Sequence, residues 1–207
     1  MSVASSLNIV TPLTLEGAVV RLEPVRRDHS ALFWEAAKDS VDDIFRWIPY
    51  SMKTSEDFNG FVAKILEEEQ RGESVPFATV ERSSGRVIGS TRFMNVDRVN
   101  RRVEIGSTWL APAWQRTSVN TEAKYLMLRQ AFDVWGCVRV ELKTDALNQK
   151  SRDAILRLGA KEEGTFRKHL ATWTGRIRDS VYFSILDTEW PEVKAKLEGK
   201  LKDRYAI

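Results

Sequence analysis

The chain is poor in the residues that carry most covalent and metal-centred chemistry. Among 207 residues there is one cysteine, Cys137, and there are two histidines, His29 and His169. A lone thiol excludes an internal disulfide, a cysteine-rich zinc site and an iron–sulfur cluster, and two imidazoles argue against a histidine-built metal site. Cys137 begins an apolar strand pattern, where a thiol behaves as a small hydrophobe rather than a nucleophile. No apolar run approaches the roughly 20 residues that a membrane-spanning helix needs. Residues 1–15 carry no side-chain charge, yet Ser5, Ser6, Asn8, Thr11, Pro12 and Thr14 break them up, so they form neither a signal segment nor a span. An excess of one charge is missing too: 32 Lys plus Arg stand against 29 Asp plus Glu, a net charge of +3 from mixed signs. That balance argues against a dedicated nucleic-acid surface. These absences point to a cytoplasmic protein of one domain with no membrane partner. What is plentiful is aromatic: seven Trp and nine Phe promise a large core or a cleft lined by flat side chains.

Hydrophobic period organises the chain. Val20 and Leu22 alternate with Arg21 and Glu23, a strand ending near Pro24. Asp28 precedes Leu32, Phe33, Ala36 and Ala37 at helical spacing and reads as an N-cap. Thr54 or Ser55 caps a stronger helix carrying Phe58, Phe61, Val62, Ile65 and Leu66, which Gly72 closes. From residue 75 the period becomes two, through 77–81, 87–93 and 102–110, with turn chemistry between them. Asn120 and Thr121 then open a helix that Gly136 ends, and Val138, Val140 and Leu142 make a strand. A short helix stops at Gly159, strands near 161–173 and 177–187 join through Thr174-Gly175, and a last helix begins at Pro191. This order, without repeat or linker, predicts one α/β (α+β) domain around a mixed sheet.

Two constellations carry chemistry. In Trp109-Leu110-Ala111-Pro112-Ala113-Trp114-Gln115-Arg116-Thr117-Ser118-Val119-Asn120-Thr121-Glu122 a strand runs out and a helix begins, so backbone N–H groups and the positive end of the helix dipole converge on one point. Phosphate suits such a point, although the loop lacks glycine. In Asn148-Gln149-Lys150-Ser151-Arg152-Asp153-Ala154-Ile155-Leu156-Arg157-Leu158-Gly159, Asn148 reads as an N-cap and Ser151 faces the same helix end.

In register over nearly the whole chain, these segments resemble the GNAT acyltransferase superfamily, in its RimJ/RimL-like branch of ribosomal-protein N-terminal acetyltransferases. Val103-Glu104-Ile105-Gly106 and Trp109-Leu110-Ala111-Pro112 are similar to the family's acetyl-CoA strand, and Gln115-Arg116-Thr117-Ser118-Val119-Asn120-Thr121 to its pyrophosphate loop. Residues 148–159 match its N-x-x-S-x-x-A-x-x-x-L-G helix, while Glu163-Gly164 and Asp179-Ser180-Val181-Tyr182 resemble its last strands. The resemblance implies a leader over 1–16, a GNAT-type domain over 17–188 whose mixed central sheet is splayed between its fourth and fifth strands with helices on both faces, and a helical extension over 189–207. It implies acetyl-CoA as cosubstrate and no metal. Backbone groups near Thr108 and Leu110 would pair with pantetheine, and the Leu110 N–H would polarise the thioester. Gln115, Arg116, Thr117, Ser118, Val119, Asn120 and Thr121 would hold the pyrophosphate, and Asn148 and Ser151 would face the pantetheine arm and sulfur. Lys150 or Arg152 would meet the 3′-phosphate.

The sequence departs from the family at two points. Ser118 stands at the first loop glycine, which would cost on the order of 1 kcal/mol if the position requires positive φ. Ile155 stands where many members carry a Tyr that protonates the thiolate, which leaves Ser151 as the candidate hydroxyl. The implied reaction is direct attack by a primary amine. Because an α-amino group has a pKa of about 7.7–8.0 and lysine about 10.4, a base assists. Glu104 is the first candidate, ahead of His169. Trp47 and Tyr50, in a loop that Pro49 keeps from being helical, are expected against the acceptor together with Trp109. Arg98, Arg101 and Arg102 read as a solvated turn. The resemblance also suggests a homodimer. Other readings are an acyl-CoA-binding protein without efficient catalysis, transfer of another acyl group such as succinyl, and ribosome or nucleic-acid association motivated by a pI near 9.0.

Overall fold

The computed structural model describes Leu7, Ile9 and residues 11–205. Its strands are β1 (Leu15–Glu16), β2 (Val20–Pro24), β3 (Val75–Glu81), β4 (Val87–Asp97), β5 (Arg102–Leu110), β6 (Arg139–Asp145), β7 (Lys161–Ala171) and β8 (Ile177–Leu186), and its helices are α1 (His29–Ala37), α2 (Val41–Ile44), α3 (Ser55–Gln70), α4 (Val119–Arg129), α5 (Gln149–Leu158) and α6 (Trp190–Tyr205). The strands form one sheet in the order β1-β2-β3-β4-β5-β6-β8-β7, antiparallel except at the β5–β6 seam. This is the expected mixed α/β sheet. The two-residue strand β1 is an addition, too short to show a period.

Alternation gives the sheet two apolar faces. On one, Val103, Ile105, Val140, Leu142, Phe183 and Ile185 pack under Leu126 and Met127 of α4, Leu158 of α5 and Leu197 of α6. On the other, Phe33 of α1 and Phe58, Phe61 and Ile65 of α3 close over Ala78 and Trp109. Local chemistry places the helix ends. Thr54 and Asp57 exchange hydrogen bonds in a capping box before α3, and Gly72, at φ +70°, turns the chain out of it. Asn148 caps α5, which ends at Gly159 in the left-handed region at φ +106°.

Several local expectations are corrected. Asp28 occupies the N-cap of α1 but makes no side-chain cap, because its carboxylate pairs with Arg26 at 3.3 Å. Helix α4 starts at Val119 rather than Asn120 and passes through a π-helical stretch, Gln130–Val134, before Gly136 turns it at φ +68°. The arginines of the β4–β5 turn do structural work rather than lying loose. Arg98 donates to the Gly72 carbonyl at 2.8 Å, Arg101 to that of Gly136 at 2.9 Å, and Arg102 pairs with Asp97 and Glu141.

The two seams of β6 differ. With β8 it forms an unbroken antiparallel ladder from Arg139↔Leu186 to Asp145↔Ser180. With β5 it pairs over three residues only, Arg102↔Arg139 to Glu104↔Glu141, and beyond Glu104 the strands part. The opening corresponds to the expected splay between the fourth and fifth strands, counted without β1. On its other side β5 carries a bulge against β4: Ser90 faces Trp109 but Arg92 faces Gly106, so Ser107 and Thr108 oppose a single residue. Ser107 takes φ +52°, and the extra residue bends β5 away from β6.

Candidate active site

The splay leaves one edge of β5 without a strand partner beyond Glu104. The Ala111 N–H donates to the Ile88 carbonyl at 2.8 Å, so the alternating peptide of Leu110 turns the other way, toward the gap. Its carbonyl accepts the Gln115 side-chain amide at 2.8 Å. An extended amide chain lying in the gap could pair with this edge as an added strand does.

At the open end lie the starts of both crossover helices. The turn from 112 to 118 is tight: the Trp114 N–H bonds the Ala111 carbonyl at 3.0 Å, and the Thr117 hydroxyl donates to the Trp114 carbonyl at 2.7 Å. The Val119 N–H reaches Thr117 Oγ1 at 3.3 Å. The N–H groups of Asn120 and Thr121, in the first turn of α4, have no carbonyl behind them within the helix, and Ser118 supplies no side-chain cap. The left-handed residue is Arg116, at φ +63°, whereas Ser118 sits at φ −71° and ψ −18°. Ser118 therefore bears none of the strain that the sequence pattern assigned to it. At the facing helix, the Ser151 N–H bonds Asn148 Oδ1 at 3.1 Å. Lys150 donates to Gln115 Oε1 and joins the two helix starts across the opening. Arg152 is engaged with Glu162 at 3.2 Å.

Over the opposite face, the segment after α2 is pinned above the bulge. Tyr50 shares a 2.8 Å hydrogen bond with Ser107 and stacks on Phe61. The Trp47 carbonyl accepts Arg178 Nη1 at 3.0 Å, and its ring lies under Arg46 and Arg176. Tyr50 and Phe45, with Met52, Ser107, Thr108 and Trp109, enclose a cavity of about 20 Å³. That is space for one water-sized or methyl-sized group. Trp109 serves this side mainly as packing: it is 7% exposed, set edge-on to Phe33, Phe45 and Phe58.

The candidate proton acceptors fare differently. Glu104, at the last rung before the strands part, is 2% exposed, and its Oε2 accepts Asn95 at 2.8 Å and Lys143 at 3.0 Å. His169 does not top a strand: it lies within edge strand β7 beside Phe166 and Tyr182, with Nδ1 buried and no hydrogen-bond partner. Burial, then Lys143 and Arg178, hold its pKa below the ordinary imidazole value. Cys137 is buried and its thiol is pushed up to about 12 by burial, as befits a packing residue.

Two buried charges of α4 escaped the sequence reading. Glu122 accepts the N–H groups of Ala18, Val19 and Val20 at 2.6–2.8 Å, against Gly17, where a Cβ would come within 2.3 Å of its carboxyl carbon. Lys124 is 5% exposed and donates to Thr108 Oγ1 at 2.5 Å and Thr91 Oγ1 at 3.1 Å, and burial lowers its pKa to about 7. Its position four residues before Leu128, on the apolar side of the helix, was the available signal.

A sheet parted beside a bulge, with an uncapped helix start at the opening, is the fold this chain shares with acetyltransferases. Residues 20–161 match the family model described as the acetyltransferase (GNAT) domain. A GCN5-related N-acetyltransferase from Brucella melitensis superposes with a TM-score of 0.85 at 31% identity, over 96% of this chain and 90% of that one. Mycobacterium smegmatis RimJ, solved with CoA-disulfide, shares the fold at a TM-score of 0.80 and 23% identity, over 92% and 95% of the two chains. A Bacillus subtilis (strain 168) protein provisionally named ribosomal N-acetyltransferase YdaF is 35% identical over 106 residues, 51% of this chain and 57% of that relative. The match thus spans little more than half the length of that curated relative. The chain belongs to the GNAT acetyltransferase family.

Proposed function

We propose that the chain transfers an acetyl group from acetyl-CoA to a primary amine, with the α-amine of a ribosomal-protein N-terminus as the first acceptor class to test. The observation that carries this reading is the parted β5–β6 seam, which has the Leu110 peptide turned into the gap and the uncapped start of α4 at its mouth. The residues fit the cosubstrate at three points. Orphan N–H groups and the helix dipole suit the pyrophosphate, the free edge of β5 suits the amides of pantetheine, and the small cavity beside Thr108 has room for an acetyl methyl. The ribosomal acceptor is drawn from the names of the relatives; the domain bounds 17–188, a homodimer and a cytoplasmic location stay part of the proposal. No helix among the described residues is long and apolar enough to cross a membrane.

Acetyl-CoA supplies an activated carbonyl. The Leu110 N–H donates toward the carbonyl oxygen, where negative charge grows. Gln115 and residues 116–121 hold the diphosphate end, so the reacting end is fixed by two anchors. Ser151, half-buried in the first turn of α5, offers its hydroxyl to the sulfur. Asn148 sets the turn that presents it. Glu104, desolvated at the base of the gap, draws in the acceptor's ammonium group, which releases one proton to solvent before its nitrogen attacks, while Trp47 and Tyr50 confine the acceptor from above.

Titrating acetyl-CoA while following the melting temperature tests the binding half. At a ligand concentration 100-fold above Kd, linkage gives about 2.7 kcal/mol, a shift of several degrees. Release of free CoA with a panel of N-terminal peptides, amino acids, polyamines and drug amines tests the transfer half. Binding with silence across the panel would leave a binder without catalysis, and no shift would overturn the reading of the loop.

A further inference from the structure

We propose that Lys124 and Thr108 form a proton relay beneath the reacting centre, with Lys124 as the base and Thr108 as the link. This rests on the acetyl-transfer reading and deepens it. Thr108 sits in the bulge of β5, exposed to the opening, and lines the cavity under Tyr50 on one side. On the other side its Oγ1 touches Lys124 Nζ at 2.5 Å. It is thus the one hydroxyl among the described residues that lies between that cavity and a buried amine. Glu104, by contrast, spends Oε2 on Asn95 and Lys143.

The surroundings of Lys124 leave its amine without a counter-charge. From β4 and β5 it meets the neutral hydroxyls of Thr91 and Thr108. On its own helix Glu122 is turned to the N–H groups of 18–20, and Arg129 lies over the Tyr125 ring. Glu198 of α6 is taken by the Tyr125 hydroxyl, Arg21 and Glu23 of β2 pair with each other, and Glu16 of β1 is exposed. Burial alone accounts for a pKa lowered to about 7, so near neutrality a large share of Lys124 carries a lone pair. The lone pair accepts the Thr108 O–H proton while Thr108 Oγ1 takes a proton from the attacking nitrogen. The N–H bond of the acceptor breaks, a new N–H bond forms on Lys124, and Thr108 ends as it began. The reverse passage delivers that proton through Thr108 to the departing sulfur, which the Ser151 hydroxyl holds by a hydrogen bond, so amide and free thiol form with no proton left on the enzyme.

Lys124→Met fills the same space without the amine, and Thr108→Val removes the link. In the ligand-free protein, Lys124→Met should raise the melting temperature most below pH 7. The gain should shrink as pH rises toward 10, because the wild-type amine is held neutral in the fold but still binds a proton when unfolded. A gain independent of pH overturns the relay. In turnover, both variants should lose about 100-fold or more in kcat with the acetyl-CoA KM within about twofold, and the rise of kcat/KM through pH 7 should vanish. An active wild type whose pH profile survives in Lys124→Met overturns the relay alone. A wild type that releases no CoA with any acceptor overturns the acetyl-transfer reading and the relay with it, and the melting curves then report only the charge state of Lys124.

Discussion

The starts of α4 and α5 lie at the same mouth of the sheet, yet they are finished in opposite ways. Helix α5 is closed on itself: Asn148 receives the Ser151 N–H at one end and Gly159 turns left-handed at the other. Helix α4, which starts at Val119, has no side-chain cap from Ser118; Thr117, whose hydroxyl donates to the Trp114 carbonyl, meets only the Val119 N–H at 3.3 Å, and those of Asn120 and Thr121 are left. A helix that only packs is expected to satisfy its own terminal donors, because each unmet one costs stability. The difference is what the proposed function expects: α5 presents side chains from a closed turn, while the donors of α4 would be met by the cosubstrate diphosphate.

The largest test of that contrast is Ser118→Asp. A carboxylate at the start of α4 would cap the free donors and occupy the place of phosphate. Acetyl-CoA affinity should fall about tenfold or more by calorimetry, while the ligand-free protein gains on the order of 1 kcal/mol and melts higher. Affinity unchanged by this charge would break the assignment. Asn148→Ala should do the reverse, losing about 1 kcal/mol, a fall of roughly 2–4 °C in Tm, with acetyl-CoA Kd altered less than about threefold. The smallest effects concern the loop backbone. Arg116→Gly should gain a few tenths to about 1 kcal/mol in denaturant melts, because Arg116 is the residue at positive φ. Ser118→Gly should lose a few tenths. Opposite signs for the last two would overturn the dihedral assignment.

What could be read in the sequence follows the range of the interactions. The caps at Thr54 and Asn148 and the stops at Gly72, Gly159 and Gly175 depend on neighbours within a few residues, so residue type announces them. The loop from 115 to 121 was legible in place, but its backbone was not: which residue turns left-handed is decided by how the turn docks, and the family pattern pointed to Ser118 rather than Arg116. The bulge at Ser107 and Thr108 depends on register with β4, which no single strand encodes. Glu122 and Lys124 read by type as solvent-facing. Only the assembled sheet shows one meeting the backbone of residues 18–20 and the other sealed under Thr108.

The Glu122 contact changes how variants of this chain should be sorted. Its carboxylate ties α4, three residues past the loop end at Val119, to Ala18, 104 positions away in the chain. At Gly17 even a methyl group would collide with that carboxylate. On the proposed function, a genetic screen would score Gly17→Ala with lesions of the cosubstrate site although it touches no ligand, and the turn between β1 and β2 belongs on the map of positions that would set the affinity for CoA.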